Sequence, residues 1–597
     1  MAGLTYQDLK PYQTYFVFRA SAPLSRAMLT ALGEELAAIL NKDVAEADDR
    51  CHVRKLLATE QFDRDFVAIY TYRRTPRVRW ASGPDAPRDT EHHLALLLSH
   101  QHTLLVIPTD AVLPAKLARA TTEPSFAAWS GVKLASPARL INGFVYRAAK
   151  TLWLSGIHRS VAVKPDSKVL IGQDLEASLD ALGDQSYQFT STRCEGPDSG
   201  TIAAASIGVT PRTGKVWLGG APNWRVVLQN AQAIAATAEA ANEKPRDPYP
   251  VLAKTQASLT RVSGAFEVSL PPPEYVEDEQ LRAALQTISD GTVSWTVTPS
   301  AGANARINIP FDGKNYPITI TLTEVAGDVT HAVAGDDTAP EPIKAVTDLL
   351  RRNSLLKIYY DSMHTYSDGQ LFEVRTRPLP FTLTPKNFPG VDITLEKPTR
   401  ASGHGVDLGR IGAAGEKSLF TWVWSQFRTG WLWCDDEAGE LADFIHLDRN
   451  HQQLTFIHVK AADSSSPTRG LAVAPYEVVS AQALKNLRYM ERAELERPLQ
   501  EKLTRDRTAN IKRGWRNGKE LPPKSTELWK TIAKIPYSQF TRRVVVLQPH
   551  VRASRVPKDL TANTADARRA RLLVTLLHAV KADINRYGVE LEVWVDR

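Results

Sequence analysis

The stretch from Gly430 to Met490 places a carboxylate, a lysine and an amide where apolar segments begin or end. Asp443 lies in the second of three strand-like segments, Lys460 closes the third, and Gln482 lies in the helical segment that follows. Carboxylates bind Mg²⁺ or Mn²⁺, which neutralise a phosphate and lower the pKa of a bound water. A lysine beside the ion orients that water and screens developing charge. The pattern therefore predicts metal-assisted hydrolysis at a phosphate, with the glutamine anchoring the water, the lysine or the substrate.

Two further side chains are candidates for binding the ion. His458 precedes Lys460 by two positions, so strand alternation places both on one face together with Phe456. Hard cations prefer oxygen to imidazole nitrogen. Either His458 is therefore a weaker ligand that favours manganese, or Glu440 supplies the missing carboxylate, and Glu416 is a further source. The candidate metal ligands are Asp443, His458 and Glu440.

Apolar periodicity predicts the elements that must position these residues. The run Asp435-Asp436-Glu437 falls between the first two strands and is expected to form an exposed turn without metal ligands. In chain order we predict a helix at 418–427, strands at 431–434, 441–447 and 453–461, a helix at 471–490, a strand at 543–547, a helix at 571–584 and a strand at 589–595.

This order of elements resembles the αβββαβ core of the PD-(D/E)XK restriction-like nucleases. Asp443 resembles the metal-binding aspartate of that family, and Lys460 resembles its lysine. Gln482, Asn486 and Tyr489 resemble the Q-x-x-x-Y element of the RecB-like branch. The segment is similar to nuclease domains of bacterial anti-phage defence proteins, most clearly over 415–597. The chain departs from the motif at position 458, where histidine stands in place of glutamate or aspartate.

The resemblance implies a Mg²⁺- or Mn²⁺-dependent endonuclease that cleaves DNA as an effector of anti-phage defence. Expected partners are DNA, a separate helicase or another defence-system subunit, and a second copy of the chain in a homo-oligomer. A motor must be a separate protein, because the sequence contains no Walker A pattern. Two alternatives remain open: an inactive fold kept as a nucleic-acid-binding sensor or adaptor, and a nuclease that acts on RNA.

A basic segment with interspersed tryptophans follows the candidate centre, between about 502 and 530. Basic side chains suit a phosphate backbone, and aromatic rings suit stacking on unpaired bases. Gly514, Gly518 and the prolines at 522–523 predict a flexible loop, and a merely solvated basic loop is the alternative. The candidates for contact with nucleic acid are Arg513, Trp515, Arg516, Lys519 and Asn486.

The remaining sequence predicts a mixed, multi-domain α/β protein. Among the N-terminal elements we predict helices at 25–40 and 92–99 and a strand at 103–108. Polar, proline-bearing patches at 243–248 and 335–340 are predicted boundaries. The expected domains are an α/β region for recognition or partner binding (1–245), a small strand-rich module (246–340) and a nuclease-like domain (341–597).

Bulk composition narrows the class of protein further. The chain has 597 residues, a net charge of +7 and three widely spaced cysteines. A mildly basic charge permits a polyanionic partner, and an odd, unpaired cysteine count argues for a reducing cytoplasm. The start of the sequence lacks the pattern of a signal peptide, and no apolar run is long enough to span a membrane. We therefore expect a cytoplasmic protein that does not bind membranes.

Overall fold

The computed structural model divides the chain into two units, one formed by residues 1–177 and 185–375 and the other by 178–184 and 376–597. It describes residues 5–597 except 43, 45–49, 77, 79–84, 111, 146–147, 160–163, 197–201, 203, 277–278, 289–292, 299, 301, 326–327, 353–354, 375, 404, 437–438, 492, 496, 499–500, 502–512, 523–524 and 537–538. Both predicted boundaries, near 245 and near 340, lie inside the first unit.

The first unit begins with an antiparallel sheet to which the described residues contribute eleven strands, in the order β2-β3-β4-β5-β1-β11-β10-β9-β7-β8, with β6 also paired to β1. Its strands are β1 Thr14–Ala20, β2 His52–Phe62, β3 Asp65–Arg74, β4 Glu91–His100, β5 Thr103–Pro108, β6 Val132–Leu134, β7 Ala149–Gly156, β8 Ser167–Ile171, β9 Tyr187–Glu195, β10 Ser206–Thr210 and β11 Lys215–Trp217. The helices in this part are α1 Arg26–Glu34, α2 Leu36–Asn41, α3 Val112–Ala120, α4 Pro137–Phe144, α5 Leu175–Ser178 and α6 Trp224–Ala240.

The helix predicted at 92–99 is wrong, because this segment forms β4. The run from Leu94 to Leu98 is buried throughout, and β4 pairs with β3 on one side and β5 on the other. A strand covered on both faces has a continuous apolar run, which periodicity alone does not distinguish from a buried helix. The single helix predicted at 25–40 is divided at Glu35 into α1 and α2.

The rest of the first unit contains two smaller antiparallel sheets, ordered β12-β20-β19-β18-β13 and β14-β15-β16-β17. Both sheets contribute to one hydrophobic core, which includes Ile307, Ile320, Ile358 and Val346. The first of these sheets joins strands from either side of residue 340, so the predicted boundary there does not separate two cores. The elements are β12 Lys254–Gln256, β13 Ala265–Ser269, α7 Glu279–Thr287, β14 Thr296–Thr298, β15 Ala305–Phe311, β16 Lys314–Val325, β17 Asp328–Ala334, α8 Glu341–Leu350, β18 Lys357–Tyr360, β19 His364–Ser367 and β20 Gln370–Glu373.

The second unit is built on a mixed sheet of order β21-β28-β27-β24-β23-β22-β25-β26. The strands β22, β23 and β24 form an antiparallel meander, whereas β24, β27 and β28 run parallel. The elements are β21 Thr384–Lys386, α9 Leu419–Gln426, β22 Trp431–Cys434, β23 Phe444–Asp448, β24 Gln453–Val459, α10 Ala474–Lys485, β25 Gly514–Arg516, β26 Lys519–Glu520, α11 Glu527–Ile532, β27 Thr541–Arg552, α12 Ala565–Arg586 and β28 Glu590–Asp596.

The predicted helix, three strands, helix, strand, helix and strand occur in this order over 418–595, with β25, β26 and α11 inserted before β27. The second strand was predicted at 441–447 but begins at Phe444, so Asp443 precedes it, and α10 is shorter than expected. Pro475 stands in its first turn, where a missing N–H costs nothing. The helix ends at Lys485 with Asn486 as its cap, and Tyr489 lies in the 3₁₀ turn that follows. Gln482 and Tyr489 therefore do not belong to one continuous α-helix.

Helices cover both faces of this mixed sheet. Along β24, Leu454 and Phe456 join a core with residues of α10 and α12, while Ile457 and Val459 join a core with residues of α9. This alternation is the period of two expected for a strand, and it buries β24 on both sides. In the described part of the chain, no helix combines the length and the apolar character that a membrane crossing requires.

Candidate metal centre

Three carboxylates converge in the loop that joins β22 to β23. Asp436, Glu440 and Asp443 each offer an oxygen, and these oxygens lie within 4.8 Å of one another. The loop is closed at its base by the antiparallel pairing of Cys434 with Phe444. The sequence connecting two adjacent strands therefore returns on itself, which brings acidic residues at different positions into one group.

Asp435 stabilises this loop through hydrogen bonds to two of its residues. Its carboxylate accepts a hydrogen bond from the N–H of Leu441 at 2.9 Å, and its own N–H donates to the carbonyl of Asp443 at 3.0 Å. Asp435 is fully buried, and only 10% of the Asp436 side chain is exposed. The prediction that Asp435 and Asp436 form an exposed turn is therefore wrong, and Glu437 lies outside the described residues.

Asp443 joins the loop to the end of β24. Its Oδ2 accepts a hydrogen bond from the N–H of Val459 at 2.7 Å, and the residue is 4% exposed. Burial, followed by the charge of Glu440, raises the pKa of Asp443 well above its usual value, although the bond from Val459 opposes that rise. Buried carboxylates that repel one another are stabilised by a cation between them.

Glu440 is the half-buried member of the group. Burial, followed by the charge of Asp436, raises the pKa of Glu440 to about 6. The loop carrying Glu440 is tied to the end of α10, because Asn486 donates from Nδ2 to the Glu440 carbonyl at 3.1 Å. A set of carboxylate oxygens is the donor type that Mg²⁺ and Mn²⁺ prefer, so these residues fit a hard divalent cation.

One lysine, Lys397, lies beside the carboxylates and is linked through Glu396 to a second lysine, Lys460. The Nζ of Lys397 is 2.7 Å from Asp436 Oδ1 and 3.6 Å from Glu396 Oε1. The Nζ of Lys460 is 3.3 Å from Glu396 Oε2, and 42% of the Lys460 side chain is exposed. Burial alone would lower the pKa of Lys397, but its hydrogen bond to Asp436 raises that pKa overall. Lys397 is therefore held as an ammonium ion.

Backbone hydrogen bonds fix the segment that carries Glu396 and Lys397. The carbonyls of Leu395 and Glu396 accept from the first N–H groups of α9 at 2.9 and 3.0 Å. These donors have no partner within their own helix. Glu396 Oε2 also accepts from the N–H of Ala461 at 3.2 Å, directly after β24. Neither residue was predicted from the sequence, since a glutamate and a lysine before a helix carry no distinguishing signal.

Of the predicted metal ligands, Asp443 and Glu440 lie in the carboxylate group, whereas Asp436 takes the place expected for His458. His458 is 1% exposed, and its Nε2 has no hydrogen-bond partner among the described residues. Burial, followed by the charge of Lys485, lowers the pKa of His458 to about 3, so the imidazole is neutral. His458 follows the alternation of Phe456 on the α10 side of β24.

The other predicted site residues have different positions. Gln482 is half-buried on α10, one turn before Asn486, and its role stays a prediction. Asn486 is buried and supports the acidic loop, so its expected contact with nucleic acid is wrong. Glu416 accepts hydrogen bonds from Ser418 and Thr421 and thus stabilises the start of α9.

The described part of the basic segment is a hairpin and not a flexible loop. β25 and β26 pair with each other and extend the sheet beside β22. Trp515 is 3% exposed within the α9-side core, so the prediction that it stacks on a base is wrong. Arg513 pairs with Glu520 at 2.5 Å and donates to the carbonyl of Gly409 at 2.5 Å.

Two residues of this hairpin remain at the surface. Arg516 forms an ion pair with Glu527 at 3.3 Å and lies over the ring of Trp431, whereas Lys519 is exposed. Other basic residues of this segment lie outside the described residues, namely Lys502, Arg505, Arg507, Lys512 and Lys524.

Basic residues collect at the edge of the sheet where the carboxylates lie. Since β24, β27 and β28 run parallel, the residues that follow them share one edge. Lys460 follows β24, Arg555 and Lys558 follow β27, and Arg597 follows β28; the last three are exposed. Acidic residues lie at the same ends of these strands, namely Asp463 after β24, Asp559 after β27 and Asp596 at the end of β28.

Comparison of the chain with protein-family models gives no match, and comparison with curated proteins gives none.

Proposed function

We propose that the second unit is a nuclease that hydrolyses DNA phosphodiester bonds with Mg²⁺ or Mn²⁺. The observation that carries the proposal is the group formed by Asp436, Glu440 and Asp443, to which Lys460 is linked through Glu396 and Lys397. Three carboxylates this close repel one another, and the single charge of Lys397 offsets only part of theirs, so a divalent cation would be favoured. A lysine near the site can stabilise charge that develops on a phosphate.

The sheet supports the same proposal. The strands β22, β23, β24 and β27 are neighbours in one sheet, and their order along the chain is the one expected from the resemblance to PD-(D/E)XK nucleases. Asp443 immediately precedes the second strand, and Lys460 immediately follows the third. The exposed basic residues at this edge would contact a nucleic-acid backbone.

The residues of the site would have the following roles. Asp436, Glu440 and Asp443 hold the ion, which when bound neutralises the scissile phosphate and acidifies a water. Glu396 accepts from the N–H of Ala461 and positions the Lys460 ammonium at the surface of the site. Lys460 then contacts a non-bridging phosphate oxygen and stabilises the charge that develops there.

The type of ligand atom determines which metal ions the site can bind. An oxygen-only group accepts Mg²⁺ and Mn²⁺ alike. A preference for manganese, which a histidine ligand would cause, is therefore not expected. A role in anti-phage defence follows from the resemblance, and a phage plating assay with wild-type and Asp443→Asn proteins tests it.

The proposal is tested by cleavage assays on supercoiled plasmid, linear duplex, single-stranded DNA and RNA of matched sequence. We expect cleavage of DNA with Mg²⁺ or Mn²⁺, none with EDTA, and none by Asp443→Asn. Glu477→Gln is the matched control, because Glu477 is an exposed carboxylate on α10. Cleavage confined to RNA would move the proposal to the RNA-directed alternative. Metal-independent DNA binding without cleavage would favour the sensor or adaptor.

A further inference from the structure

Lys397 occupies the position beside the acidic group that a bound cation would compete for. Its Nζ donates to Asp436 Oδ1 at 2.7 Å, and only 26% of its side chain is exposed. Its charge also acts on Glu440 and Asp443. The Lys397 ammonium is therefore bonded to the carboxylate group through Asp436.

The position of Lys397 is fixed by its surroundings. Glu396 is bonded through its carbonyl to the N–H of Phe420 at 3.0 Å, and Pro398 restricts Lys397 to an extended backbone. The Nζ also lies 5.6 Å from the centre of the Phe420 ring, a favourable cation–π contact. The backbone that carries Lys397 is thus held in place, whereas its long side chain can still move the ammonium.

An ammonium and a divalent cation compete for these carboxylates. Asp436 Oδ1 cannot accept the Lys397 proton and bind a metal ion with the same lone pair. Two cations a few ångströms apart also repel each other more strongly in a partly buried site than in water. The two cations therefore weaken each other's binding at Asp436, and occupation by the metal favours withdrawal of the Lys397 ammonium.

We infer that Lys397 is a tethered counter-ion that holds the carboxylate loop together in the metal-free protein and competes with the divalent cation for it. The inference rests on the proposed metal-dependent function. Lys397 thereby sets the metal concentration at which the site is occupied. It is a positioning residue of the metal-free state.

The experiment is a titration of the full-length protein with Mn²⁺, in which free Mn²⁺ is followed by electron paramagnetic resonance. Wild type, Lys397→Met, Lys397→Gln and the exposed-lysine control Lys519→Met are compared. Removal of the competing charge should lower the Kd for Mn²⁺ in both neutral Lys397 variants by about tenfold or more, the scale of one close charge interaction. The Lys519 variant should keep the wild-type Kd.

A second measurement separates the inference from a simple structural ion pair. In EDTA both neutral variants should melt at lower temperature than wild type, and saturating Mn²⁺ should remove the difference. Lys397→Gln retains a hydrogen-bond donor toward Asp436, so it tests the charge if the methionine variant does not fold. Lys397→Arg keeps the charge and should retain the wild-type Kd.

The outcomes distinguish the inference from the proposed function. Weaker or unchanged Mn²⁺ binding by the neutral variants, with wild type still binding, overturns the role of Lys397 and leaves the nuclease proposal standing. No Mn²⁺ binding by wild type or any variant overturns both. If the neutral variants bind Mn²⁺ and wild type does not, the Lys397 ammonium prevents metal binding under these conditions, which supports the inference.

Discussion

The Oδ2 atom of Asp443 accepts a hydrogen bond from the N–H of Val459 at 2.7 Å, so the start of β23 is joined to the end of β24. The same carboxyl belongs to a group with Asp436 and Glu440. A single side chain thus links the strand ladder to the acidic loop. Changes to this loop are therefore expected to affect both the stability of the second unit and its metal chemistry.

Glu440→Gln should stabilise the metal-free protein at neutral pH. The folded protein raises the pKa of Glu440 from 4.5 to about 6, so folding disfavours its ionised form. The cost is absent at pH values below the unfolded pKa, develops as the pH rises through the interval from about 4.5 to 6, and is complete above the folded pKa. For this half-buried group the difference is roughly 1 kcal/mol after allowance for solvent screening.

The measurement for this prediction is the free energy of unfolding in EDTA, followed by urea titration between pH 4 and 8 for wild type and Glu440→Gln. The advantage of the variant should appear between pH 4.5 and 6 and stay constant above pH 7. An advantage that is largest at pH 4 would contradict the assignment.

A divalent cation should stabilise the folded protein by mass action. Binding at one hundred times Kd adds roughly 2.7 kcal/mol to the free energy of unfolding. Thermal unfolding with and without Mg²⁺ or Mn²⁺ measures the gain. We expect Asp436→Asn, Glu440→Gln and Asp443→Asn each to reduce it strongly, because each removes a carboxylate from the group. Glu477→Gln should retain the full gain, and an equal loss there would point to nonspecific charge effects.

Lys460→Ala should lower cleavage without unfolding the protein. The side chain is 42% exposed, so its loss removes little packing, while loss of one charge that stabilises the reacting phosphate costs on the order of 10²–10³ in kcat. The comparison is kcat against melting temperature for Lys460→Ala and Lys519→Ala. Full activity of the Lys460 variant would show that Lys460 has no role in cleavage.

Trp515→Ala should act on folding and not on recognition of nucleic acid. Trp515 is 3% exposed and packs in the core that includes residues of α9. Truncating a buried tryptophan costs about 3–5 kcal/mol. Denaturant titration should show this loss. Folded Trp515→Ala protein that lost DNA affinity without losing stability would restore the predicted stacking role.

The order of elements around the site followed from apolar periodicity, because the strands β22, β23, β24, β27 and β28 each contribute residues to two distinct cores. The same signal failed at 92–99, where burial on both faces removes the alternation. Asp443 and Glu440 were accessible from the sequence, since acidic residues beside a buried strand are visible there. Composition could not reveal that Asp435 folds the loop inward and so brings Asp436 into the group.

The positions of Lys397 and Glu396 at the site could not be predicted from the sequence for a different reason. They reach the site through backbone hydrogen bonds to α9 and to the segment after β24, and these contacts depend on tertiary packing alone. Likewise, the basic and aromatic composition of the segment around Trp515 does not tell which ring is buried in the sheet. Position within the fold, and not residue type, decided these roles.

The most direct measurement is an anomalous difference map from crystals grown with Mn²⁺. The account predicts a peak with oxygens of Asp436, Glu440 and Asp443 at roughly 2–2.4 Å, and the Nζ of Lys397 withdrawn from Asp436. A fully occupied peak elsewhere in the chain, or no peak beside these carboxylates while Mn²⁺ supports cleavage, would contradict it.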